Sequence, residues 1–250
     1  MRLAFAGNRR VATSCLEHLI GAGIKPEALM ITSGNEAELQ NLAGLPPERV
    51  LVGSEFREDR GIDLLSSLDL DYILGVHFPY IVPDSVLRIP KIGVLNLHPA
   101  LLPYNRGWHT PSWSILEGTP IGATLHFMDS GVDTGDIVAQ AELEIRPEDT
   151  AHSLYARLLD LEVELFRSSW SLLASGNPPR RSQSPDEGTG HNRADLQTES
   201  VRRLDLDASA PIRDVVTTLR ALTTNDPGEA AYFEEDGRRY LVQITIIPDD

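Results

Sequence analysis

Short apolar runs separated by amphipathic stretches fill the first part of the chain. The runs predict buried strands at residues 2–6, 28–32, 49–52, 71–76 and 92–97. Between them, apolar positions recur at helical spacing and predict helices at 11–20, 36–43, 61–67 and 84–88. Because strands that alternate with helices form parallel sheets covered by helices, we predict a Rossmann-like α/β fold with a mostly parallel sheet.

Two further strands and a long helix follow in the middle of the chain. The strands are predicted at 121–127 and 137–145, and a turn rich in Gly and Asp joins them. The helix is predicted over 150–174, because its apolar positions recur at helical spacing. Thr150 is suited to cap its N-terminus, and Gly176 is suited to end it.

The composition changes after Gly176. Residues 177–205 are rich in Pro, Gly, Ser and Arg and poor in apolar residues, which predicts a linker or irregular segment. Beyond it, Ile212 to Leu222 has a helical pattern, and "AAYFEEDGRRYLVQITI" predicts a hairpin that turns at Asp236-Gly237. We therefore predict a main α/β domain at 1–176 and a small C-terminal unit, helix plus β-hairpin, at 206–250.

Charge and composition exclude several classes of protein. The 250 residues carry a net charge of -15, which disfavours a nucleic-acid partner because such a partner requires a positive surface. We find no apolar run long enough to cross a membrane and no secretory signal, so we expect a cytoplasmic protein. Cys15 is the only cysteine, which excludes an internal disulfide and a thiolate zinc site.

The first strand-turn-helix lacks the usual nucleotide fingerprints. "AFAGNRRVATSC" has a single glycine, so it matches neither the dinucleotide-binding pattern nor the P-loop. Asn8, Arg9 and Arg10 nevertheless follow the carboxyl end of the predicted first strand and begin a helix. Such a position suits an anionic group, and a solvated surface turn is an equally good interpretation.

A polar pair interrupts the strand in "GVLNLHPALLPYNRG", residues 93–107. Asn96 and His98 are two residues apart, so in a strand both side chains project from one face. An isolated pair of this kind can simply bond to neighbouring backbone. Downstream, Asp133 lies in a turn of "HFMDSGVDTGDIV" that can face the same sheet edge. An amide, an imidazole and a carboxylate together suit acyl transfer.

These segments resemble the folate-dependent formyltransferase family. Its signature is an Asn-x-His pair before a Leu-Leu-Pro loop, with an aspartate in a Val-Asp-Thr-Gly-Asp segment, as in "LNLHPALLPYNRG" and "HFMDSGVDTGDIVAQ". "GVHFPYIVPDSVL" at 75–87 is similar to the family's pterin-side loop. The resemblance implies the formyltransferase fold for the catalytic domain. It also implies N10-formyltetrahydrofolate as co-substrate, no metal, and transfer of the formyl group to an amine.

The resemblance also implies roles for individual residues. In the implied mechanism, Asn96 and His98 donate to the formyl oxygen, while Asp133 keeps His98 protonated and helps accept the amine proton. The implied folate-binding residues are His77, Phe78, Pro79, Tyr80, Ile81, Val82, Asp129 and Asp136. The expected substrate-binding residues are Asn8, Arg9, Arg10, Tyr104, Arg106, Trp108 and His109. We expect His126 to be structural, and Trp108 and Trp113 either to line the acceptor site or to pack in a core.

The acceptor amine is less well defined by the sequence. "LPYNRGWHTPSWSILEGTPIGATLHFMD" and the tail are similar to N-formyltransferases that act on nucleotide-linked amino sugars, such as a dTDP-amino-dideoxyhexose. This likeness implies a nucleotide-sugar substrate and a homodimer. Enzymes of the family that use methionyl-tRNA carry a larger basic C-terminal domain, whereas the tail here is short and the net charge is -15, so we expect no tRNA acceptor. Another small amine as acceptor, a formyltetrahydrofolate hydrolase and a non-enzymatic folate binder remain as alternatives.

Overall fold

The predicted strands and helices are present in the structure, a computed structural model that describes residues 1–34, 36–184 and 186–249. The strands are β1 (Leu3–Gly7), β2 (Ala28–Ile31), β3 (Val50–Val52), β4 (Tyr72–Val76), β5 (Gly93–His98), β6 (Arg106–Gly107), β7 (Ile121–Phe127), β8 (Ile137–Leu143), β9 (Gly190–His191), β10 (Ala231–Glu235) and β11 (Arg238–Val242). The helices are α1 (Arg9–Gly21), α2 (Glu36–Ala43), α3 (Asp59–Ser67), α4 (Asp84–Leu87), α5 (Thr110–Glu117), α6 (Ala151–Ala174), α7 (Glu199–Arg202) and α8 (Ile212–Leu222).

Seven strands form one sheet in the order β3-β2-β1-β4-β5-β7-β8. The pairs from β3 to β5 are all parallel, and β7 runs antiparallel to β5. Strands β1, β2 and β4 are buried along their whole length, as expected of parallel strands with both faces covered. The prediction of a mostly parallel α/β sheet with a small C-terminal β-containing unit is therefore confirmed.

The register of the sheet aligns the carboxyl ends of three neighbouring strands. Gly7 of β1 pairs with Val76 of β4, and Val76 pairs with Leu97 of β5. The residues that follow these strands therefore leave the sheet at the same edge. Ligands of open α/β sheets bind at this edge, which is where the sequence analysis expects the site.

The chain forms two compact units. The first comprises residues 1–98, 123–141 and 160–184, and its core includes Phe56, Leu65, Ile73 and Val86 between the sheet and its helices. The second comprises 99–122, 142–159 and the described part of 185–250. Residues 177–205, expected to be irregular, contain β9, α7 and a 3₁₀ turn at Asp195–Gln197 in the part that the structure describes. The division of the chain at residues 176 and 205 stays a prediction.

The second unit has its own apolar cluster. Trp113 of α5 packs there with Leu196, Leu222 and Ala231, and its ring stacks on His191 with 3.6 Å between centroids. Strands β10 and β11 form the predicted antiparallel hairpin, with Asp236 and Gly237 both at positive φ, as its two-residue turn requires. Of the two interpretations of Trp113, packing in a core is the one that the structure supports.

The ends of α6 are formed as predicted. Thr150 Oγ1 accepts from the Ser153 amide at 3.3 Å, and Ser153 Oγ accepts from the Thr150 amide at 3.0 Å. Reciprocal bonds of this kind satisfy two amides that the helix itself leaves without partners. Gly176 follows the helix at φ +74°, a conformation that glycine adopts without steric cost. Among the helices of the described residues, none combines the length and apolarity needed to span a membrane.

Candidate active site

Asn96 and His98 project from one face of β5, as their spacing predicts. Asn96 lies opposite Gly75 on β4 and opposite His126 on β7. A Cβ atom at Gly75 would lie 3.1 Å from the Leu95 carbonyl and 3.4 Å from Asn96 Oδ1. The glycine therefore leaves room for the Asn96 side chain beside the sheet edge.

A tight turn between β7 and β8 carries Asp133. Asp129 Oδ1 accepts from the Gly131 amide at 3.0 Å and from Thr134 Oγ1 at 2.6 Å, which folds the turn back on itself. Gly135 is required here, because a Cβ atom would lie 2.0 Å from the Phe127 carbonyl. Within this turn, Asp133 adopts a left-handed conformation with φ +53°. The turn thus directs one carboxylate back toward β5.

The structure brings the three predicted catalytic side chains together. Asp133 Oδ2 lies 3.6 Å from His98 Nε2, and Asp133 Oδ1 lies 3.5 Å from Asn96 Nδ2. Only 7% of the His98 side chain and 13% of the Asp133 side chain are exposed, so bulk water screens this pair weakly. These separations are at or slightly beyond the limit for hydrogen bonds.

His126 joins this cluster, although the sequence analysis expected a structural residue. Its Nδ1 lies 2.8 Å from the Phe127 carbonyl and must carry the proton, since the carbonyl only accepts. Its Nε2 lies 3.4 Å from Asn96 Nδ2 and 3.5 Å from Asp133 Oδ1. The antiparallel register that places His126 opposite Asn96 brings it there, and alternation within β7 alone does not reveal that register.

The cluster supplies two kinds of chemistry. The Asn96 amide and a protonated His98 are hydrogen-bond donors for an oxygen on which negative charge develops. Asp133 places a carboxylate beside the His98 imidazole, where it can orient the ring and accept a proton. The one cysteine is unsuited to nucleophilic chemistry, because Cys15 is fully buried and burial, reinforced by the Glu162 carboxylate, raises the pKa of its thiol.

The predicted folate loop follows β4 and begins at His77. His77 has φ +53°, and its Nε2 lies 2.7 Å from Oε2 of the fully buried Glu162. Phe78 and Tyr80 pack against Phe56 in the core, at ring centroid distances of 5.2 and 5.9 Å. Val82 is also buried, whereas Pro79 is exposed and Ile81 is 81% exposed. Every second side chain of the loop thus packs against the core, and the side chains between them leave apolar surface for a ligand.

Asp129 and Asp136, the other expected folate-binding residues, have partners within the protein. Asp129 holds the turn described above. Asp136 Oδ1 accepts from Ser182 Oγ at 2.8 Å, and Asp136 Oδ2 lies 3.8 Å from the Arg180 guanidinium. A role for either carboxylate in folate binding stays a prediction.

The turn after β1 carries Asn8, Arg9 and Arg10. Asn8 caps α1, since its side chain accepts from the Arg9 amide. Arg10 is exposed and lies 2.7 Å from Asp160. A groove of about 300 Å³ beside the first turns of α1 is lined by Arg9, Arg10, Thr13, Ser14, Glu17, Glu38 and Leu39. Both arginines therefore border a ligand-sized groove, together with two carboxylates.

The remaining predicted substrate residues lie in the second unit. Arg106 belongs to β6, which pairs with β9, and Gly107 is required because a Cβ atom would lie 2.3 Å from the His191 carbonyl. Tyr104 and Trp108 are 37% and 43% exposed, so both present aromatic surface to a ligand. His109 precedes α5 at φ +56°, with Nδ1 3.6 Å from Glu229. Their contacts with a substrate stay predictions.

Metal ligands do not cluster in the part of the chain that the structure describes. No group of three or more His, Cys, Asp or Glu side chains is arranged there to hold a metal ion.

The geometry agrees with the families and proteins that the chain resembles. The family model described as "Formyl transferase" matches residues 35–169, and the one described as "N-formyltransferase dimerization C-terminal domain" matches residues 197–248. The chain is 34% identical over 179 residues to the dTDP-4-amino-4,6-dideoxyglucose formyltransferase of Mycobacterium tuberculosis, covering 72% of this chain and 74% of the relative. It is 31% identical over 258 residues to the methionyl-tRNA formyltransferase of Koribacter versatilis, covering 97% of this chain and 78% of the relative.

A solved structure shows the same fold. It is a formyltransferase from Anoxybacillus kamchatkensis in complex with UDP-4,6-dideoxy-4-formamido-L-AltNAc and tetrahydrofolate, with 25% identity and a TM-score of 0.60. The match covers 79% of this chain and 88% of that one. Since the first family model alone matches more than half of the residues, the chain belongs to the formyl transferase family.

Proposed function

We propose that the protein is an N-formyltransferase that moves the formyl group of N10-formyltetrahydrofolate to the amine of a nucleotide-linked amino sugar. The observation that carries this proposal is the cluster of Asn96, His98 and Asp133 at the carboxyl edge of a formyltransferase sheet. Two formyltransferases among its relatives support this acceptor class, since one is named for a dTDP-linked 4-amino sugar and the other is in complex with a UDP-linked 4-formamido sugar.

The residues present fit a bound folate. When bound, N10-formyltetrahydrofolate supplies the formyl carbon that an acceptor amine attacks. The exposed apolar side chains of Pro79 and Ile81 offer a surface to a planar ring, close in sequence to His77 at the strand edge. Asn96 and His98, at the same edge of the sheet, offer donors to a formyl oxygen.

The roles of the three side chains follow from their chemistry. Asn96 and His98 donate hydrogen bonds to the oxygen that gains negative charge, and one such donor is typically worth about 3 kcal/mol. The contacts of Asn96 Nδ2 with His126 and Asp133 are long, so they compete weakly for this donor. Asp133 orients His98 and takes part in accepting the proton that the amine loses on acylation.

Other acceptors are distinguished by charge. A tRNA acceptor would have to bind a protein whose net charge is -15, whereas the phosphates of a tRNA bind best to a positive surface. We therefore prefer a nucleotide sugar, although methionyl-tRNA formyltransferases are among the relatives. Another small amine is the alternative if no diphosphate is recognised. Water as acceptor would make the protein a formyltetrahydrofolate hydrolase.

Product analysis tests the function directly. Purified protein is incubated with N10-formyltetrahydrofolate and, separately, with dTDP- and UDP-linked amino sugars, free amino sugars, charged initiator tRNA or no acceptor. We expect a nucleotide-sugar product heavier by one carbon and one oxygen, and no formylated tRNA above background. Formate release without an amine would identify a hydrolase, and efficient tRNA formylation would overturn the proposed acceptor.

Arginine variants test where the diphosphate binds. Charge-assisted contacts are worth about 1.5–3 kcal/mol, so at least one of Arg9→Ala, Arg10→Ala and Arg106→Ala should raise the acceptor KM roughly tenfold to a hundredfold. The folate KM should stay near its wild-type value. Arg88→Ala is the matched control, because Arg88 is an exposed arginine paired with Asp84 at 2.8 Å on α4. If Arg9→Ala, Arg10→Ala and Arg106→Ala all keep the wild-type acceptor KM, as the control should, another small amine becomes the better hypothesis for the acceptor.

We further propose a homodimer formed through the C-terminal unit. The matched C-terminal family model is one for dimerisation, and Ile212, Tyr240 and Leu241 expose large apolar surface there, at 77%, 41% and 51%. Light scattering should give about twice the chain mass of 27.5 kDa. A monomeric mass at micromolar concentration would contradict this assembly.

The single cysteine supports a location in the reducing cytoplasm, which fractionation of the source cells would test.

A further inference from the structure

The proposed catalytic aspartate lies in an uncommon backbone conformation. Asp133 has φ +53°, a left-handed conformation that few residues other than glycine adopt, although aspartate does so more often than most. Asp129 supports the turn from inside, through the Gly131 amide and the Thr134 hydroxyl. These bonds reach residues on both sides of Asp133, and a second set of bonds reaches the backbone of Asp133 itself from another part of the chain.

Gln183 provides this second set of bonds. Its Nε2 donates to the Asp133 carbonyl at 2.9 Å and to the Gly135 carbonyl at 2.7 Å. A side-chain amide has two N–H hydrogens, and here each of them meets one carbonyl of the turn. One side chain therefore holds the backbone on both sides of Thr134, immediately next to the carboxylate that faces His98.

Residues 180–183, which we call the clamp segment, are themselves fixed against the sheet. Arg181 and Ile137 exchange two backbone hydrogen bonds, at 2.8 and 3.0 Å. The Arg180 guanidinium donates to the Ile92 carbonyl at 2.8 Å and lies 3.4 Å over the Phe127 ring. Ser182 Oγ donates to Asp136 Oδ1 at 2.8 Å. The segment thus presents the Gln183 amide from a defined position.

We propose that Gln183 is a positioning residue for catalysis. By fixing the backbone at Asp133 and Gly135, it keeps the Asp133 carboxylate near His98 and His126, at 3.6 and 3.5 Å. The proposal rests on the proposed function only in that Asp133 acts on His98 during formyl transfer. A displacement of about 1 Å in such a set can cost up to about a hundredfold in rate.

The test compares two substitutions at Gln183 with one at its neighbour. Gln183→Met keeps the length of the side chain and removes both donors, and Gln183→Glu is a second variant of the same shape. Ser182→Ala is the matched control, since it removes one hydrogen bond of the clamp segment without touching the Asp133 backbone. We expect the Gln183 variants to lower kcat roughly tenfold to a hundredfold, with both KM values and the Tm close to wild type. Ser182→Ala should keep kcat near wild type, because the two Arg181–Ile137 bonds and the Arg180 contacts still hold the clamp segment.

Nuclear magnetic resonance of the imidazole nitrogens gives a second readout that needs no substrate. The His98 and His126 signals, assigned with His98→Asn and His126→Asn, should shift in both Gln183 variants and stay in place in Ser182→Ala. Shifted signals in a protein whose wild type formylates none of the acceptors would support the positioning role and reject the proposed function. Unmoved signals, or equal losses of Tm and kcat in Gln183→Met and Ser182→Ala, would overturn the positioning role.

Discussion

Replacing His98 by Asn should lower kcat about a thousandfold, because general acid–base groups contribute roughly 10²–10⁴ to the rate of such reactions. Asparagine is neutral and fits the space of the imidazole. It can still donate a hydrogen bond, but it cannot act as an acid or a base beside Asp133, which lies 3.6 Å from His98. The measurement is single-turnover formylation of the acceptor identified in the product analysis.

Two controls separate chemistry from folding and binding in this variant. The affinity for a non-reactive folate, measured by calorimetry, should stay within a few fold of wild type, because we assign ring binding to the loop that follows β4. His152→Asn changes an exposed imidazole on α6 and should keep the wild-type rate. Turnover of His98→Asn near the wild-type value would remove His98 from the proposed mechanism.

Replacing Asn96 by Ala should lower kcat by roughly 10²–10³, the loss typical of one donor to a developing oxyanion. The effect should fall on kcat with little change in either KM, because the donor acts most strongly when the oxygen carries charge. Asn96→Asp should be at least as slow. It replaces the donor by a carboxylate in the position that now lies 3.5 Å from Asp133 Oδ1.

Asn41→Ala is the matched control for the Asn96 variants, since it shortens an exposed asparagine on α2. Its kcat, KM and Tm should equal those of the wild type. Should Asn96→Ala raise the acceptor KM instead and leave kcat intact, Asn96 would be a binding residue and the oxyanion role would be wrong.

The sequence predicts most of the sheet because its signals are local. Apolar runs and helical periodicity locate the strands and most helices to within about two residues of their observed ends. Helix α5 is missed because six of its residues are buried, including Thr110, Ser112 and Ser114, so it lacks a polar face. The strand pair β6 and β9 is missed because it joins two residues of each segment across more than eighty positions.

The residues of the candidate site also fall into two groups: some can be predicted from the local sequence, and others are placed only by contacts that are distant in sequence. Asn96, His98 and Asp133 are found because they belong to short recognisable segments. His126 is missed because only the antiparallel register of β5 and β7 places it beside Asn96. Gln183 lies in a stretch whose composition suggests a linker, and its two contacts are 48 and 50 residues away in sequence. Contacts that depend on strand register, or on a segment far away in the sequence, leave no pattern in the local sequence.

The burial of Cys15 has a consequence for work with the protein at the bench. The thiol is the only one in the chain, it has no exposed surface, and burial keeps it protonated at neutral pH. Maleimide reagents and mild oxidants should therefore leave the folded wild type unmodified. A cysteine introduced at an exposed position, such as Ile81 in the loop after β4, then becomes a unique attachment point for a fluorophore that reports ligand binding.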